Sequence, residues 1–363
     1  MDKLRYALIG CGRISPNHLA AVQANSNHIE LVAVCDLVSE KMDAVLASVG
    51  MNGVKAKKYT DYQVMLRSEE LDLVAVATES GSHAAIGLDC IEAGCHVIIE
   101  KPIALSIADA DRLIDAATAK GVVLCACHQN RFNKSIQKLR EALDANRFGR
   151  LLHGAAHVRW NRGKAYYQQA PWRGTWAHDG GALMNQCLHN IDLLRWMMGD
   201  GIDEVFAYTA RLKHDYIEAE DLGLALVKFS NGAYGLIEGT TNVYPKNLEE
   251  TLYVFGENGT VKVGGKSVNI IEEWDFADKK EDPDEIKARY HENPPNVYGF
   301  GHTPLYMDVV SAIHEGRKPL VDGEAGKRAV ELVLAIYRSA LEGQPVRLPL
   351  SDFSTLEMKG YFD

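Results

Sequence analysis

The stretch LRYALIGCGRISPNHLAAV, residues 4–22, decides the fold. An apolar run ends at Gly10, a second glycine follows at Gly12, and Ser15-Pro16 opens a helical segment. With no side chains in such a strand-to-helix turn, the backbone can approach a pyrophosphate at the positive end of the helix. Ser15 takes the place of the third glycine in that pattern. A glycine pair alone also serves plain tight turns, so its surroundings matter. The next apolar run closes at Asp36, about two dozen residues further on. There a carboxylate either accepts from the ribose hydroxyls of an adenosine or acts as a turn or cap. In the first role it repels a 2'-phosphate, and Leu37-Val38-Ser39 offers no arginine to neutralise one, so NAD is expected rather than NADP.

Outward from this stretch, short runs rich in Val, Ile, Leu and Ala alternate with helical segments up to about residue 125: LRYALIG, ELVAVCD, LDLVAVAT, CHVIIEKP and GVVLCAC. Runs apolar on both faces indicate buried parallel strands under helices, hence an N-terminal doubly wound α/β domain over 1–125. Ligands in such sheets bind outside the carboxyl ends of the strands, which brings forward Thr78, Ser80, Glu100 and Lys101. His83 either joins them or caps the following helix.

From residue 126 to 363 the texture changes. LLHGAAHVRW, EVFAYTARL, LGLALVKF, GAYGLIEGT and TLYVFG alternate in polarity, with turn signals at SNG, GENG and VGGK. They predict an α+β domain built on a large open, mostly antiparallel sheet with helices on one face. Its bare face, if apolar, would pair with another copy, giving a homo-oligomer, dimer or tetramer. The charge- and proline-rich segment from Trp274 to Asn296 reads as an excursion outside the core, and Glu324 to Leu341 as a supporting helix ending at Gly343.

Composition narrows the partners. Hydrophobic residues at 47% and charged residues at 24% suit a globular protein, while 39 basic against 49 acidic residues leave a net charge of -10, which repels nucleic acid and anionic membranes. The seven cysteines sit mostly in apolar runs, so reduced core thiols are expected; Cys125 and Cys127 lack a second pair to complete a zinc site, and no metal is expected. The N-terminus enters a strand without a signal-peptide pattern, which predicts a cytoplasmic protein.

At Glu100-Lys101-Pro102, taken with the glycine turn, the sequence resembles the Gfo/Idh/MocA oxidoreductases over nearly its whole length. Its second signature runs Gly180-Gly181-Ala-Leu-Met-Asn185-Gln-Cys-Leu-His189-Asn-Ile-Asp192, with Asn185 where many relatives carry an aspartate. The resemblance implies a Rossmann domain with NAD bound through Gly10, Gly12, Arg13, Ile14, Asp36, Thr78, Ser80, His83, Glu100, Lys101, Asn130, Trp172 and Arg173. It also implies Lys101, Asn185 and His189 at the reaction centre. Read physically, 182–198 is one helix, with Leu183, Cys187, Ile191, Leu194 and Met198 at helical spacing; Asn185, His189 and Asp192 share a neighbouring face. An imidazole titrating near neutrality suits removal of an alcohol proton, and a lysine beside it favours the negative charge that develops on oxygen. Asp192 either orients His189 or pairs with Arg195 at the surface.

A narrower resemblance, to the WlbA-type subgroup, rests on 129–133 (QNRFN), 159–162 (RWNR) with Tyr166 and Tyr167, and 172–176 (WRGTW) leading to Asp179. It implies oxidation at C3 of UDP-N-acetylglucosaminuronic acid for bacterial surface polysaccharides, with Lys101, Arg131, Arg162, Tyr166, Asp179, Asn185 and His189 on the substrate and NAD retained between turnovers. Arginines suit a diphosphate or uronate, and aromatic rings suit uracil or a sugar face. Trp160, Trp172 and Trp176 either take part or fill the domain junction, while Tyr298, Phe300 and His302 are expected to close the pocket from the second domain. The alternatives are another sugar or cyclitol dehydrogenase, such as an inositol 2-dehydrogenase, and a noncatalytic NAD-binding sensor.

Overall fold

A computed structural model describes residues 2–363. The chain divides into two compact units: the first runs through His128 and takes in Gly301–Lys327, the second holds Gln129–Phe300 and Arg328–Asp363.

The first unit is built on a six-stranded parallel sheet of β1 (Leu4–Ile9), β2 (Ile29–Cys35), β3 (Lys57–Tyr59), β4 (Leu73–Val76), β5 (His96–Glu100) and β6 (Leu124–Cys127), in the order β3-β2-β1-β4-β5-β6. Strand order reverses between β1 and β4, which opens the crevice of a doubly wound sheet beyond their carboxyl ends. Gly10 lies there at φ +97°, and a Cβ on it would run into the Ala77 carbonyl oxygen. β3, with the sequence Lys-Lys-Tyr, escaped the pattern reading because a short, polar edge strand carries no apolar run.

Drawing the division at 125 and giving everything beyond it to the second domain misses one return of the chain. Helix His302–Glu315 lies along helix Ser15–Ala24: Tyr306 meets Tyr6 and His18, and the Asn25 side chain donates to the Thr303 carbonyl at 3.1 Å. Val321 then accepts from Ala126 N–H at 3.1 Å, beside β6. These long-range bonds tie 301–327 to the first sheet, and no local periodicity announces them.

The second unit carries an eight-stranded sheet: β7 (Leu151–Arg159), β8 (Ile202–Ala210), β9 (Leu222–Phe229), β10 (Tyr234–Thr240), β11 (Glu249–Gly256), β12 (Gly259–Gly264), β13 (Ile270–Phe276) and β14 (Val346–Arg347). Its order is β13-β12-β11-β7-β10-β9-β8-β14, antiparallel except for the β7–β10 pair. One face is covered by the segment Leu183–Met198, which seats closely because Gly223 and Gly239 present no side chains: a Cβ on either would lie 2.5 Å from a Leu183 methyl. The opposite face leaves Tyr208, Leu224, Leu226, Tyr234 and Leu236 exposed, with Leu226 opposite Leu236 and Tyr208 opposite Leu224 across the strands.

The segment 274–296 is no mere excursion. Trp274 and Phe276 are buried on β13, Trp274 at 2% exposure, and Pro283–Arg289 forms a short helix capped by Asp282. Trp274 and Phe276 are inward-facing residues of a strand whose alternate positions are acidic, and that charge hid the strand. Trp274→Ala should destabilise the protein by about 3–5 kcal/mol, read as a lowered urea midpoint; an unchanged midpoint would show that Trp274 contributes no core packing.

Candidate active site

The first unit carries the residues expected to bind the dinucleotide, at the crevice of its sheet. Gly10 is glycine because β4's exit crowds it. Gly12 is different: its φ is ordinary, and a Cβ built there meets no atom within 4 Å. Packing of the chain itself does not call for glycine at 12, whereas a bound pyrophosphate at the open start of helix Ser15–Ala24 would; that helix has no side-chain cap on its first turn. Asp36 accepts from the backbone N–H groups of Cys11 (2.8 Å) and Val38 (2.9 Å), so it shapes the glycine turn while standing at the end of β2. Lys41 approaches it at 3.8 Å, a basic neighbour that inspection of the three residues after Asp36 did not reveal. Arg13 is exposed and Ile14 half-buried at the helix start, and the Thr78 hydroxyl lies 2.7 Å from that of Ser82, with Ser80 buried between them in sequence. These residues fit a dinucleotide.

Two residues grouped with the cofactor turn inward instead. The buried His83 ring sets Nδ1 2.7 Å from the Pro102 carbonyl and Nε2 3.1 Å from that of Thr78, tying the ends of β4 and β5 together. Burial pulls this imidazole below its ordinary value, against the two carbonyls that favour its charged form. Glu100 points away from the crevice: one oxygen lies 3.1 Å from His18 Nε2, and the other accepts from Lys101 N–H at 3.1 Å. Burial would raise this acid, but the hydrogen bonds and charge of His18 and His302 outweigh it and hold Glu100 well below the carboxylate range. His302, expected at the pocket of the second domain, is buried in the first unit beside Glu100, with Nε2 3.5 Å from its carboxylate.

The second unit carries its own cluster of polar and aromatic side chains. Its backbone is the Gly180-Gly181 turn and the segment that follows, where Leu183–Cys187 is a π-helical stretch leading into helix Leu188–Met198, ended by Gly199. One wide turn therefore interrupts what the apolar spacing presents as a single regular helix. Its first residue is held by Glu220, a residue the sequence did not single out: the buried carboxyl accepts from Leu183 N–H at 2.7 Å and from the Tyr337 hydroxyl at 2.7 Å. A Cβ on Gly181, at φ +97°, would run into that carboxyl, so the glycine pair lets the turn close over it.

From this segment Asn185 donates to Asp179, whose other oxygen accepts from Gly174 N–H at 2.6 Å. An aspartate at 185 would set two carboxylates in contact; the amide supplies a donor instead. Gln186 reaches Asn185 Oδ1 and the Tyr166 hydroxyl, each at 2.8 Å, and accepts from Arg162 Nε at 2.9 Å. Arg162 lies over the rings of Trp160 (4.6 Å) and Tyr166 (5.2 Å); Arg173 lies over Tyr166 (4.3 Å) and Trp172 (4.5 Å) and donates to the Tyr166 hydroxyl. Asp179, Asn185, Gln186, Tyr166, Arg162 and Arg173 thus form one cluster, with Tyr166 as its centre.

His189, one turn on, has Nε2 3.2 Å from the Gln129 amide nitrogen. With the amide so oriented, Nε2 is an acceptor, the form from which a general base starts. Asp192 is not at the surface but buried. Its carboxylate takes a two-pronged fork from buried Arg131, at 2.8 and 2.6 Å, while Arg195 is buried and pairs with Asp200. The Nε–Nη2 edge of Arg131, assigned to a substrate, is therefore already committed. Asn130, assigned to the cofactor, donates to Glu250 at 3.3 Å. Trp176 is core, packed edge-on against Tyr337.

Comparison with known proteins matches both parts of the chain. Residues 4–128 fit the model of an oxidoreductase family with an NAD-binding Rossmann fold, and 136–262 fit the GFO/IDH/MocA C-terminal domain. Among solved structures, the WlbA dehydrogenase of Bordetella pertussis, in complex with NADH and UDP-GlcNAcA, is 40% identical over 96% of this chain and 99% of its own, with a TM-score of 0.88. Its counterpart from Chromobacterium violaceum, with the same ligands, is 39% identical over 96% and 97%, TM-score 0.87. A myo-inositol 2-dehydrogenase of Thermotoga maritima is 26% identical over 95% of this chain and 98% of its own. Among the described residues no helix is long and apolar enough to cross a membrane.

Burial pushes the Glu220 carboxyl up to about 8, with Leu183 N–H and the Tyr337 hydroxyl pulling the other way. Its folded value stands above the ordinary 4.5, so the stability it lends is complete below that value and is lost as pH rises through about 8. Glu220→Gln should therefore gain stability relative to the parent as pH rises from about 5 to 8, in urea titrations at stepped pH; a difference that does not change over that window would refute the assignment.

Proposed function

The chain belongs to the Gfo/Idh/MocA family of NAD-dependent oxidoreductases, and from that membership we propose that it oxidises C3 of UDP-N-acetylglucosaminuronate, in the cytoplasm, for bacterial surface polysaccharide synthesis. The observation that carries the substrate is the likeness to the two WlbA dehydrogenases crystallised with UDP-GlcNAcA, far above that to the inositol dehydrogenase. The Tyr166 cluster supports it: two guanidinium groups stacked on rings are the chemistry that takes a diphosphate or a carboxylate. Such local cations also offset a chain whose net charge is -10.

Oxidising a secondary alcohol removes the hydroxyl proton together with the hydrogen on carbon. The Gly10–Ile14 turn, Asp36 and the Thr78–Ser80 strand exit would hold NAD, which when bound would supply the acceptor for the hydride. His189, whose Nε2 lone pair accepts from the Gln129 amide, takes the proton there when the reacting hydroxyl replaces that amide. Lys101, carried on the turn that Glu100 and His83 fix, donates to the same oxygen and favours its negative charge. Asn185, paired with Asp179, orients a neighbouring hydroxyl without adding charge. Trp172 and Arg173 serve the cofactor or the sugar from the WRGTW loop.

The second reading, a cyclitol dehydrogenase, has the Thermotoga maritima relative in its favour. The test is to incubate the NAD-loaded protein with UDP-sugars, UDP-uronates and free cyclitols, with and without 2-oxoglutarate, and to follow product masses. Turnover should require the UDP moiety; free inositol oxidised as efficiently as any UDP-sugar would overturn the proposal. His189→Ala and Lys101→Met should each keep NAD binding and lose roughly 10²-fold or more in turnover; parental turnover in both would remove their roles.

The apolar outer face of the second sheet supports a homo-oligomer, dimer or tetramer, formed through Tyr208, Leu226, Tyr234 and Leu236. Sedimentation of Leu226→Glu should show smaller species than the parent; a parent that sediments as a monomer would end this part of the proposal.

A further inference from the structure

We infer that His18 is a positioning residue for Lys101: its imidazole holds the Glu100 carboxylate, and Glu100 holds the backbone that carries Lys101. The inference rests on the reading of Lys101 as the group at the reacting hydroxyl.

His18 lies on the buried face of helix Ser15–Ala24, one turn after Ser15, and is fully shielded from solvent. Both ring nitrogens are engaged. Nδ1 lies 2.7 Å from the Tyr306 hydroxyl, which is itself 2.8 Å from that of Tyr6, and Nε2 lies 3.1 Å from Glu100 Oε1. The other Glu100 oxygen accepts from Lys101 N–H. A carboxylate fixed at both oxygens cannot turn without breaking one of these bonds, so the pose of residue 101 is tied to the seat of the imidazole. His302 closes the far side, its ring edge-on to His18 at 5.2 Å.

An acid buried between two imidazoles is a costly core; apolar residues of similar volume would stabilise the fold at least as well. Its placement gives it a use. His18 belongs to the helix whose first turn receives the pyrophosphate, and Glu100 is the residue before Lys101. One side chain therefore joins the cofactor-binding helix to the turn that carries Lys101. Cys127 stands in the same cluster, and one donor atom each from His18, Glu100, Cys127 and His302 lie within 4.8 Å of one another, a spacing that a divalent cation could also use. The hydrogen bonds made by both His18 nitrogens favour the proton-linked network.

Glutamine can place its amide where Nε2 stands, and asparagine only where Nδ1 stands, so the two variants separate the Glu100 bond from the Tyr306 bond. With whichever alcohol the protein oxidises fastest, His18→Asn should lower kcat about tenfold or more, with the KM for that alcohol and NAD affinity within about twofold of the parent. His18→Gln should restore most of the loss, although both variants lower the melting temperature alike. In a Lys101→Met background, His18→Asn should cost nothing further. Parental kcat in His18→Asn, equal losses in both variants that follow the melting temperature, or a stoichiometric metal in the purified protein would each overturn the inference. If Lys101→Met itself turns over normally, it is the reading of Lys101 that fails.

Discussion

A carboxylate taken out of water must find a partner or a proton, and the buried acids Glu100, Asp192, Glu220 and Asp221 show how this structure meets that constraint. Each is settled differently. Glu100 stays ionised between imidazoles, against the pull of burial. Asp192 is gripped by the two-pronged fork of Arg131. Asp221, which burial would raise, is held far below the carboxylate range by His214, the backbone N–H groups of Leu212 and Lys213, and Asn242. Glu220 lacks a cationic partner of this kind and is pushed up to about 8. Glu100, Asp192 and Glu220 each join elements distant in the chain.

The candidate residues of each unit follow from this arrangement. In the first unit, Gly10 permits the close approach of two strand exits, Gly12 leaves room for a ligand, and Glu100 and His83 hold the turn that bears Lys101. In the second, Glu220 receives the start of the π-helical stretch, and that stretch presents Asn185 and Gln186 to Asp179 and Tyr166, with His189 a turn beyond. The asparagine at 185 is consistent with its neighbour: beside Asp179 an amide makes a hydrogen bond where a second carboxylate would repel.

Much of the chemistry could be read before the structure, because it is written in short patterns. Strands apolar on both faces, a glycine turn and an acid at the end of the second strand are local features, and β1, β2, β4, β5 and β6 all appear where those patterns lie. Strands β3 and β13 were lost because their residues are charged at alternate or consecutive positions, and that charge masks the strand signal. The Leu183–Met198 segment was legible as a helix, but not its π-helical first turn, whose first N–H is taken by Glu220, more than thirty residues away in the sequence.

By itself, the sequence determined the class of sheet in each half, the glycine turn for a dinucleotide and the family signatures, because backbone geometry and apolar periodicity are set by neighbours in the chain. Only the tertiary structure decided that Glu100 and His83 face inward, that Asp192 belongs to Arg131, that His302 sits with Glu100, and that residues 301–327 join the first unit. The physical reason is desolvation: a polar side chain takes whichever complementary group is buried beside it. Its identity is settled by packing between residues as far apart as His18 and Tyr306, which no local pattern records.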